Sequence, residues 1–501
     1  MKILMLSWEY PPRIVGGISR VVHDLSHRLI QDGHEVTVVT YRDGNVPYYE
    51  DDGGVDVYRV DNYMITPNNF IDWIMQLNFN MIAKTGEIIA EKGNFDVIHA
   101  HDWLTAYAGK ALKQAFNTPL VSTIHATEAG RNSGIQGEMQ KYINDTEWML
   151  TYESSEVIVN SNYMKNELQR LFGLPYEKIN VVPNGVNLNL FNGVERDYDF
   201  RRKYAMDNEK IILFMGRLVY EKGIQTLIAA MPKILAHYND AKLLVAGKGG
   251  MIDELKAQVD ALGLGQKVYF TGYLGSKDVQ KMYKCADVSV FPSTYEPFGI
   301  VALEAMLSGT PVVTSDIGGL NEIVDHGING MKSYAGNPNS LADSILALLY
   351  DPKLCDTVTK NAKNKVKMGT KILLRKLSTS LKSVLLRMLI GLRQRCYENR
   401  WLESNALSRE NLVQLIADRS HHPLENFIYP EYEDGTKRRL LSTDEGYIIC
   451  DTSTLMWTPF SPVCQECSNA ALCRKRTSII HRELFRIRCT AWEKKLSNEH
   501  N

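Results

Sequence analysis

Short apolar runs recur along the first 350 residues: Ile3 to Leu6, Val36 to Val39, Val97-Ile98, Val157 to Val159 and Val181-Val182, then Ile211 to Met215, Leu243 to Ala246, Val288 to Phe291 and Val312-Val313. They are rich in valine and isoleucine, and a helix-length segment follows most of them. A strand covered on both faces needs apolar residues at consecutive positions rather than alternate ones, so the pattern predicts βα units around buried parallel sheets. The rhythm breaks over Asn187 to Lys210, where asparagines and charges replace the apolar runs, and fresh βα units start at Ile211. The predicted class is α/β: two doubly wound, Rossmann-like domains, residues 1–205 and 206–362, with a cleft between them. In such sheets ligands sit at the carboxyl ends of strands, so polar residues there are the first candidates for chemistry.

The character changes after residue 362. From Lys363 to Arg400 eleven basic residues stand against one acid, Glu398. Leu373, Leu377, Leu381, Val384, Leu385, Met388 and Leu392 fall on one face at helical spacing. The segment 363–400 reads as a basic amphipathic helix, either a plain surface helix or one suited to peripheral contact with an anionic membrane. Residues 401–501 show no βα rhythm. Lysine plus arginine is 57 and aspartate plus glutamate 58, a net charge of −1. That balance argues against a nucleic-acid surface anywhere but the tail. No apolar run reaches the ~18 residues of a membrane span. The run at Met1 to Leu6 is too short for a signal peptide and is followed by Glu9, so it reads as the first strand and the protein as cytoplasmic.

Five of the eight cysteines lie after residue 449, and four of them read Cys450-x13-Cys464-x2-Cys467-x5-Cys473. Four thiolates with one close pair suit a structural zinc ion or an iron–sulfur cluster. The competing reading is four unrelated thiols.

Within the βα units, the first strand leads through Glu9 to the pair Gly16-Gly17 and into a helix. This is either an approach for an anion to backbone N–H groups or a tight turn. In Gly216 to Gly223, Arg217 and Lys222 follow a strand end; a planar fork and a point charge suit a diphosphate, and a solvated loop is the bland alternative. Glu296 lies in the turn after another strand, ahead of N–H groups at Phe298, Gly299 and Ile300, and Glu304 lies in the helix beyond. One carboxylate can take sugar hydroxyls and the other a ribose diol. A helix start that simply attracts acid accounts for Glu296 but not for Glu304 among apolar neighbours. His99 and His101 share a strand face, without a third ligand at metal spacing. Asp197-Tyr198-Asp199 has an Asp-x-Asp pattern but sits in the polar interdomain stretch, not at a strand end.

Taken in order, Glu9 to Gly17, Gly33-His34-Glu35-Val36, Phe95 to Trp103, Thr123 to Arg131, Val182 to Val186, Gly216 to Gly223, Gly247-Lys248-Gly249 and Glu296-x7-Glu304 resemble the retaining family-4 glycosyltransferases of the GT-B fold. They are similar also to bacterial and archaeal glycogen synthases. The resemblance implies transfer of a hexose, glucose first, from an ADP-glucose or UDP-glucose type donor to a glycan hydroxyl, with no cofactor needed for catalysis. It implies that Arg217 and Lys222 hold the diphosphate, that Glu296 contacts the donor sugar and Glu304 the ribose, and that Gly16 and Gly17 approach the diphosphate from the other domain. His125 matches the histidine beside the transferred sugar, and His101 and Asp102 fall on the acceptor side. The resemblance ends soon after Lys365-Val366. The family's acidic, tryptophan-containing segment and returning helix are not recognisable beyond it. That leaves two competitors: a sugar-nucleotide-binding scaffold with little turnover, and an adaptor acting through a metal-binding tail.

Overall fold

The computed structural model describes residues 1–62 and 69–368 and, in the tail, the backbone of three strands. Contacts divide the chain into two compact units, Met1–Leu381 and Lys382–Asn501. The first unit holds two sheets. One has eight strands: β1 (Lys2–Leu6), β2 (Glu35–Tyr41), β3 (Tyr49–Asp52), β4 (Val55–Val60), β5 (Val97–His101), β6 (Leu120–Ile124), β7 (Glu156–Val159) and β8 (Ile179–Val181), in the order 3-4-2-1-5-6-7-8. Only β3 runs antiparallel, as the edge partner of β4. The other has β9 (Lys210–Met215), β10 (Ala241–Ala246), β11 (Val268–Gly272), β12 (Val288–Phe291), β13 (Val312–Ser315) and β14 (Met331–Ser333), all parallel, in the order 11-10-9-12-13-14. Both sheets reverse direction beside their first strand, which places a crevice at the ends of β1 and β5 and of β9 and β12.

The consecutive apolar residues are explained by two covered faces. Along β9, Ile212 and Phe214 point into one core with Ile224, Leu227, Met231 and Ile345, from helices Ile224–His237 and Pro338–Tyr350. Ile211, Leu213 and Met215 point the other way, onto Met282, Tyr283, Ala302 and Met306 of helices Ser276–Cys285 and Ile300–Ser308. Each such aliphatic side chain contributes roughly 1.5–3 kcal/mol by leaving water. β1 behaves alike: Leu4 and Leu6 join a core with Ile98, Ala100 and Leu112.

The polar stretch after residue 186 carries one short helix, Tyr198–Arg202, and its Phe191 and Phe200, N-terminal to the expected boundary at 205, pack into the second sheet's core. Asp197 caps that helix, accepting from the Phe200 N–H at 2.9 Å, and pairs with Lys281 at 2.8 Å. Its Asp-x-Asp pattern is therefore occupied by local structure. Helical residues 352–368 send Ala362 and Val366 into the same core. Among the described residues no helix is long and apolar enough to cross a membrane.

In the second unit β15 (Phe427–Ile428), β16 (Arg439–Thr443) and β17 (Gly446–Cys450) form an antiparallel sheet of their own. The basic segment beyond residue 368, the side chain of Cys450, and Cys464, Cys467 and Cys473 lie outside the described residues.

Candidate active site

On the first sheet's side, the loop after β1 folds around Glu9. Its buried carboxylate accepts from the N–H groups of Val15 at 2.6 Å and Gly16 at 3.0 Å, just ahead of helix Gly17–Gln31, and burial pushes its pKa up. The Gly16 N–H, expected to meet a ligand anion, thus already holds an internal one. Gly17 does face the other domain: a Cβ there would lie 3.4 Å from Ile300 Cδ1. The starts of the helices at Gly17 and Ile300 therefore approach each other across the cleft.

β5 and β6 are neighbours in register, so their ends bring His101, Asp102 and His125 together. His101 Nδ1 and His125 Nε2 are 3.2 Å apart, with the rings stacked. His99 lies against His101, ring centres 4.2 Å apart, and its Nε2 is 2.7 Å from the Thr123 hydroxyl. Burial pushes His99 and His125 down to about 3, and His101 well down too, helped by its ring neighbours. All three rings are neutral at pH 7, so one of the His101–His125 pair donates and the other accepts. Asp102 adopts a left-handed backbone, φ 59°, unusual for a residue with a Cβ. It is held there by its own N–H on Thr123 and by its carboxylate, which accepts from the His125 N–H at 2.7 Å. Burial raises Asp102 to about 6, and Arg131, 3.9 Å away, offsets only part of that.

On the second sheet's side, Lys222 Nζ is 2.7 Å from the Glu296 carboxylate, which also accepts from the Ser293 hydroxyl at 3.3 Å. The contact depends on Gly223, at φ 70°: a Cβ there would fall 1.9 Å from the Pro292 carbonyl oxygen, so only glycine lets the loop after β9 lie on the loop after β12. Arg217 is half exposed and 3.4 Å from Glu221. Phe298 is buried, and the left-handed Gly299 opens helix Ile300–Ser308 without a side-chain cap. Glu304, buried in that helix, is ion-paired with Arg20 of the first domain and accepts from the Tyr283 hydroxyl at 3.3 Å. Burial pushes its pKa up against the pull of Arg20.

The residues that join the two sides carry no local signature. Tyr295, beside Glu296, inserts its ring into the first domain. Its hydroxyl donates to Glu167 at 2.8 Å and accepts from the Thr127 N–H at 3.1 Å, and the Thr127 hydroxyl donates to the same carboxylate at 2.6 Å. Gly130 makes the room: a Cβ there would stand 2.3 Å from the Tyr295 ring. Ser161 donates to the Pro297 carbonyl at 2.7 Å, and Glu322 accepts from the N–H groups of Asn162 and Tyr163. The only signal available in sequence is position. Tyr295 and Ser161 both follow strand ends, whereas Arg20 and Glu167 sit inside helices.

Comparison with known proteins establishes the family and the fold. The family model for glycosyl transferases group 1 matches residues 196–365, and that for glycosyltransferase family 4 matches residues 15–190. An uncharacterized glycosyltransferase of Methanocaldococcus jannaschii is 45% identical over 372 residues, 73% of this chain and 93% of that protein. A glycogen synthase of Mycobacterium tuberculosis is 35% identical over 381 residues, 73% of this chain and 90% of that protein. Among solved structures, sucrose-phosphate synthase from Thermosynechococcus elongatus superposes with a TM-score of 0.66 at 26% identity, covering 76% of this chain and 98% of that one. The chain belongs to the group 1 glycosyltransferases, and its two-sheet architecture is the GT-B fold.

Proposed function

We propose that this group 1 glycosyltransferase moves a glucosyl group from a nucleoside-diphosphate donor to a glycan hydroxyl with retention of configuration, as a glycogen synthase-like enzyme. The observation that carries the reading is the pair Lys222–Glu296, 2.7 Å apart at the ends of β9 and β12, facing the ends of β5 and β6 that hold His101, Asp102 and His125. Negative charge grows on the leaving diphosphate as the glycosidic bond breaks. Lys222 meets it as a point charge and Arg217 as a planar fork. The first N–H groups at Phe298, Gly299 and Ile300 add the positive end of an uncapped helix. Glu296 receives sugar hydroxyls while keeping Lys222 in place. Glu304 takes the ribose diol once Arg20 has moved from it toward the phosphates.

The chemistry of the facing side supports retention. His125 is buried, neutral and reluctant to take a proton, its pKa held near 3. It therefore hydrogen-bonds the transferred sugar rather than acting as a base, and Asp102 acts through it as a positioning residue. The acceptor's proton passes to the departing phosphate oxygen, on the face the nucleotide leaves. The M. tuberculosis relative, a glycogen synthase by name, supports a glucan as acceptor. The test is incubation of the full chain with UDP-glucose or ADP-glucose and a glucan, following nucleoside diphosphate release and the anomeric configuration of the product. An α-linked product from the α-configured donor is expected. Inversion, or no release with any sugar nucleotide, overturns the proposal.

A further inference from the structure

A second cluster of metal-type ligands lies away from the strand-end site, where helix Gly17–Gln31 meets the edge hairpin β3–β4. His23 and His27 stand four apart, on one helical face. Their rings are 4.2 Å apart, and both Nε2 atoms point at the carboxylate of Asp52, the last residue of β3. His23 Nε2 is 3.5 Å from one Asp52 oxygen and His27 Nε2 is 3.6 Å from the other. These separations are long for N–H···O hydrogen bonds, which cluster near 2.9 Å. The three ligand atoms lie within 4.8 Å of one another, against an edge of about 3.3 Å for a tetrahedron whose bonds are about 2.0–2.1 Å.

The proton inventory points the same way. His27 Nδ1 is 2.9 Å from the His23 carbonyl oxygen, which can only accept, so that nitrogen carries a hydrogen and Nε2 is the nitrogen turned toward Asp52. His23 Nδ1 is 3.2 Å from the Asp24 carboxylate, which assigns its hydrogen in the same sense. Both Nε2 atoms and the Asp52 carboxylate then converge, with their ligand atoms all within 4.8 Å of one another. A carboxylate and a carbonyl on the outer nitrogens are the usual outer partners of metal-bound histidines. Tyr10 fixes the third ligand by donating its hydroxyl to Asp52 at 2.9 Å. Gly53 keeps the approach to His27 open, since a Cβ there would lie 3.2 Å from Nε2.

We propose that His23, His27 and Asp52 form a zinc-type divalent metal site, with Nε2, Nε2 and a carboxylate oxygen as ligands and a water in the fourth position. Two imidazoles and one carboxylate suit zinc and its borderline neighbours, whereas magnesium and calcium demand oxygen donors throughout. Bound there, the metal ties three segments together: the Tyr10 loop after β1, the helix that carries Arg20, and the edge hairpin. The site is structural in effect, since its ligands lie on the flank of that helix and not at the ends of β5 and β9.

The test is a zinc sulfate titration by calorimetry of full-length protein first stripped with a chelator, alongside His27→Gln and Asp52→Asn. Zinc held by tail thiolates is common to all three and cancels in the difference. The wild type should bind one more equivalent than either variant, and its unfolding midpoint should climb with zinc concentration through a component that both variants lack. Asp52→Asn preserves side-chain shape and decides the matter if His27→Gln unfolds. Equal zinc stoichiometry in the wild type and Asp52→Asn overturns the proposal.

Discussion

The two sheets share a strand order around their crevices but treat the starts of their helices in opposite ways. On the first domain's side three of these positive ends already hold a carboxylate. Val15 and Gly16 give their N–H groups to Glu9, Glu128 gives its own to Glu147, and Asn162 and Tyr163 give theirs to Glu322 from the other domain. On the second domain's side, the helices that start at Ile224 and Ile300 have glycine before them, no side-chain cap and no acid in the first turn. A helix start attracts an anion only if it is not already neutralised. The open helix starts at Ile224 and Ile300 suit the phosphates of the proposed donor, while His99, His101 and His125 of the first domain form a buried, neutral cluster. Topology sets where the loops are; the protein's own carboxylates set which loops remain open to a ligand.

The largest effect should come from the charged side. Lys222→Ala removes the cation paired with Glu296 and proposed to face growing charge on the diphosphate. It should lower kcat by roughly 10²–10³-fold, about 3–4 kcal/mol. His101→Ala, on the neutral side, should cost no more than about tenfold under the same donor and acceptor saturation. Equal losses would erase the division between the two domains.

The neutral side should show itself through pH. His99 has a folded pKa of about 3 against 6.5 for the free group, because burial disfavours its charged form. The unfolded chain therefore binds the proton between pH 6.5 and 3, and the folded chain does not. Stability from this residue is complete above pH 6.5 and is lost as pH falls toward 3. Between pH 7 and pH 5 the loss is about 2 kcal/mol at 1.36 kcal/mol per unit. His99→Gln has no proton to bind there, so its urea-unfolding free energy should fall less over that interval, by about that amount. Parallel pH profiles would mean that the ring is not held neutral by burial.

A smaller effect tests the joint between the halves. Tyr295→Phe deletes the hydroxyl shared by Glu167 and Thr127 and should reduce kcat/KM roughly fivefold, about 1 kcal/mol. Gly130→Ala keeps the hydroxyl but pushes the ring aside, and should reproduce the defect. Solution scattering should show both variants more open than the wild type. A Tyr295→Phe enzyme with normal kcat/KM would show that Glu296 is positioned without the first domain.

These residues also mark how far the sequence could be read. The central strands were legible because strands such as β1, β2, β9, β10 and β12 are buried on both faces, whereas polar edge strands such as β3, Tyr49–Asp52, and β14, Met331–Ser333, carry no apolar run. Lys222 and Glu296 were legible because each stands in the turn after a strand. The Glu9 loop was half legible: its glycines suggested an anion, but nothing in the string says that Glu9 already accepts from the Val15 and Gly16 N–H groups. Arg20 with Glu304 and Tyr295 with Glu167 are 284 and 128 residues apart, and no periodicity links positions on different sheets. His23 and His27 have helical spacing, yet their third partner comes from a hairpin whose register had first to be known.

The smallest effect addresses the comparison most directly. Glu322, from helix Gly318–Ile323, accepts from the Asn162 N–H at 3.2 Å, the Tyr163 N–H at 2.9 Å and the Asn162 side-chain amide at 3.0 Å. The helix Asn162–Phe172 keeps its own cap as well, since Ser161 accepts from the Met164 N–H at 3.1 Å. Glu322→Gln retains an acceptor oxygen and removes only the charge. At an exposed helix start that charge contributes about 0.3–1 kcal/mol, screened by salt. The variant should therefore unfold slightly earlier at low ionic strength and match the wild type at high salt. Nucleoside diphosphate affinity, measured by calorimetry, should stay within about twofold, because the end that loses its carboxylate, at Asn162, is not among the groups proposed to meet the diphosphate. A marked gain in diphosphate affinity would show the vacated helix start acting as an anion site. The filled and open helix starts would then differ in occupancy alone, and not in their place in the reaction.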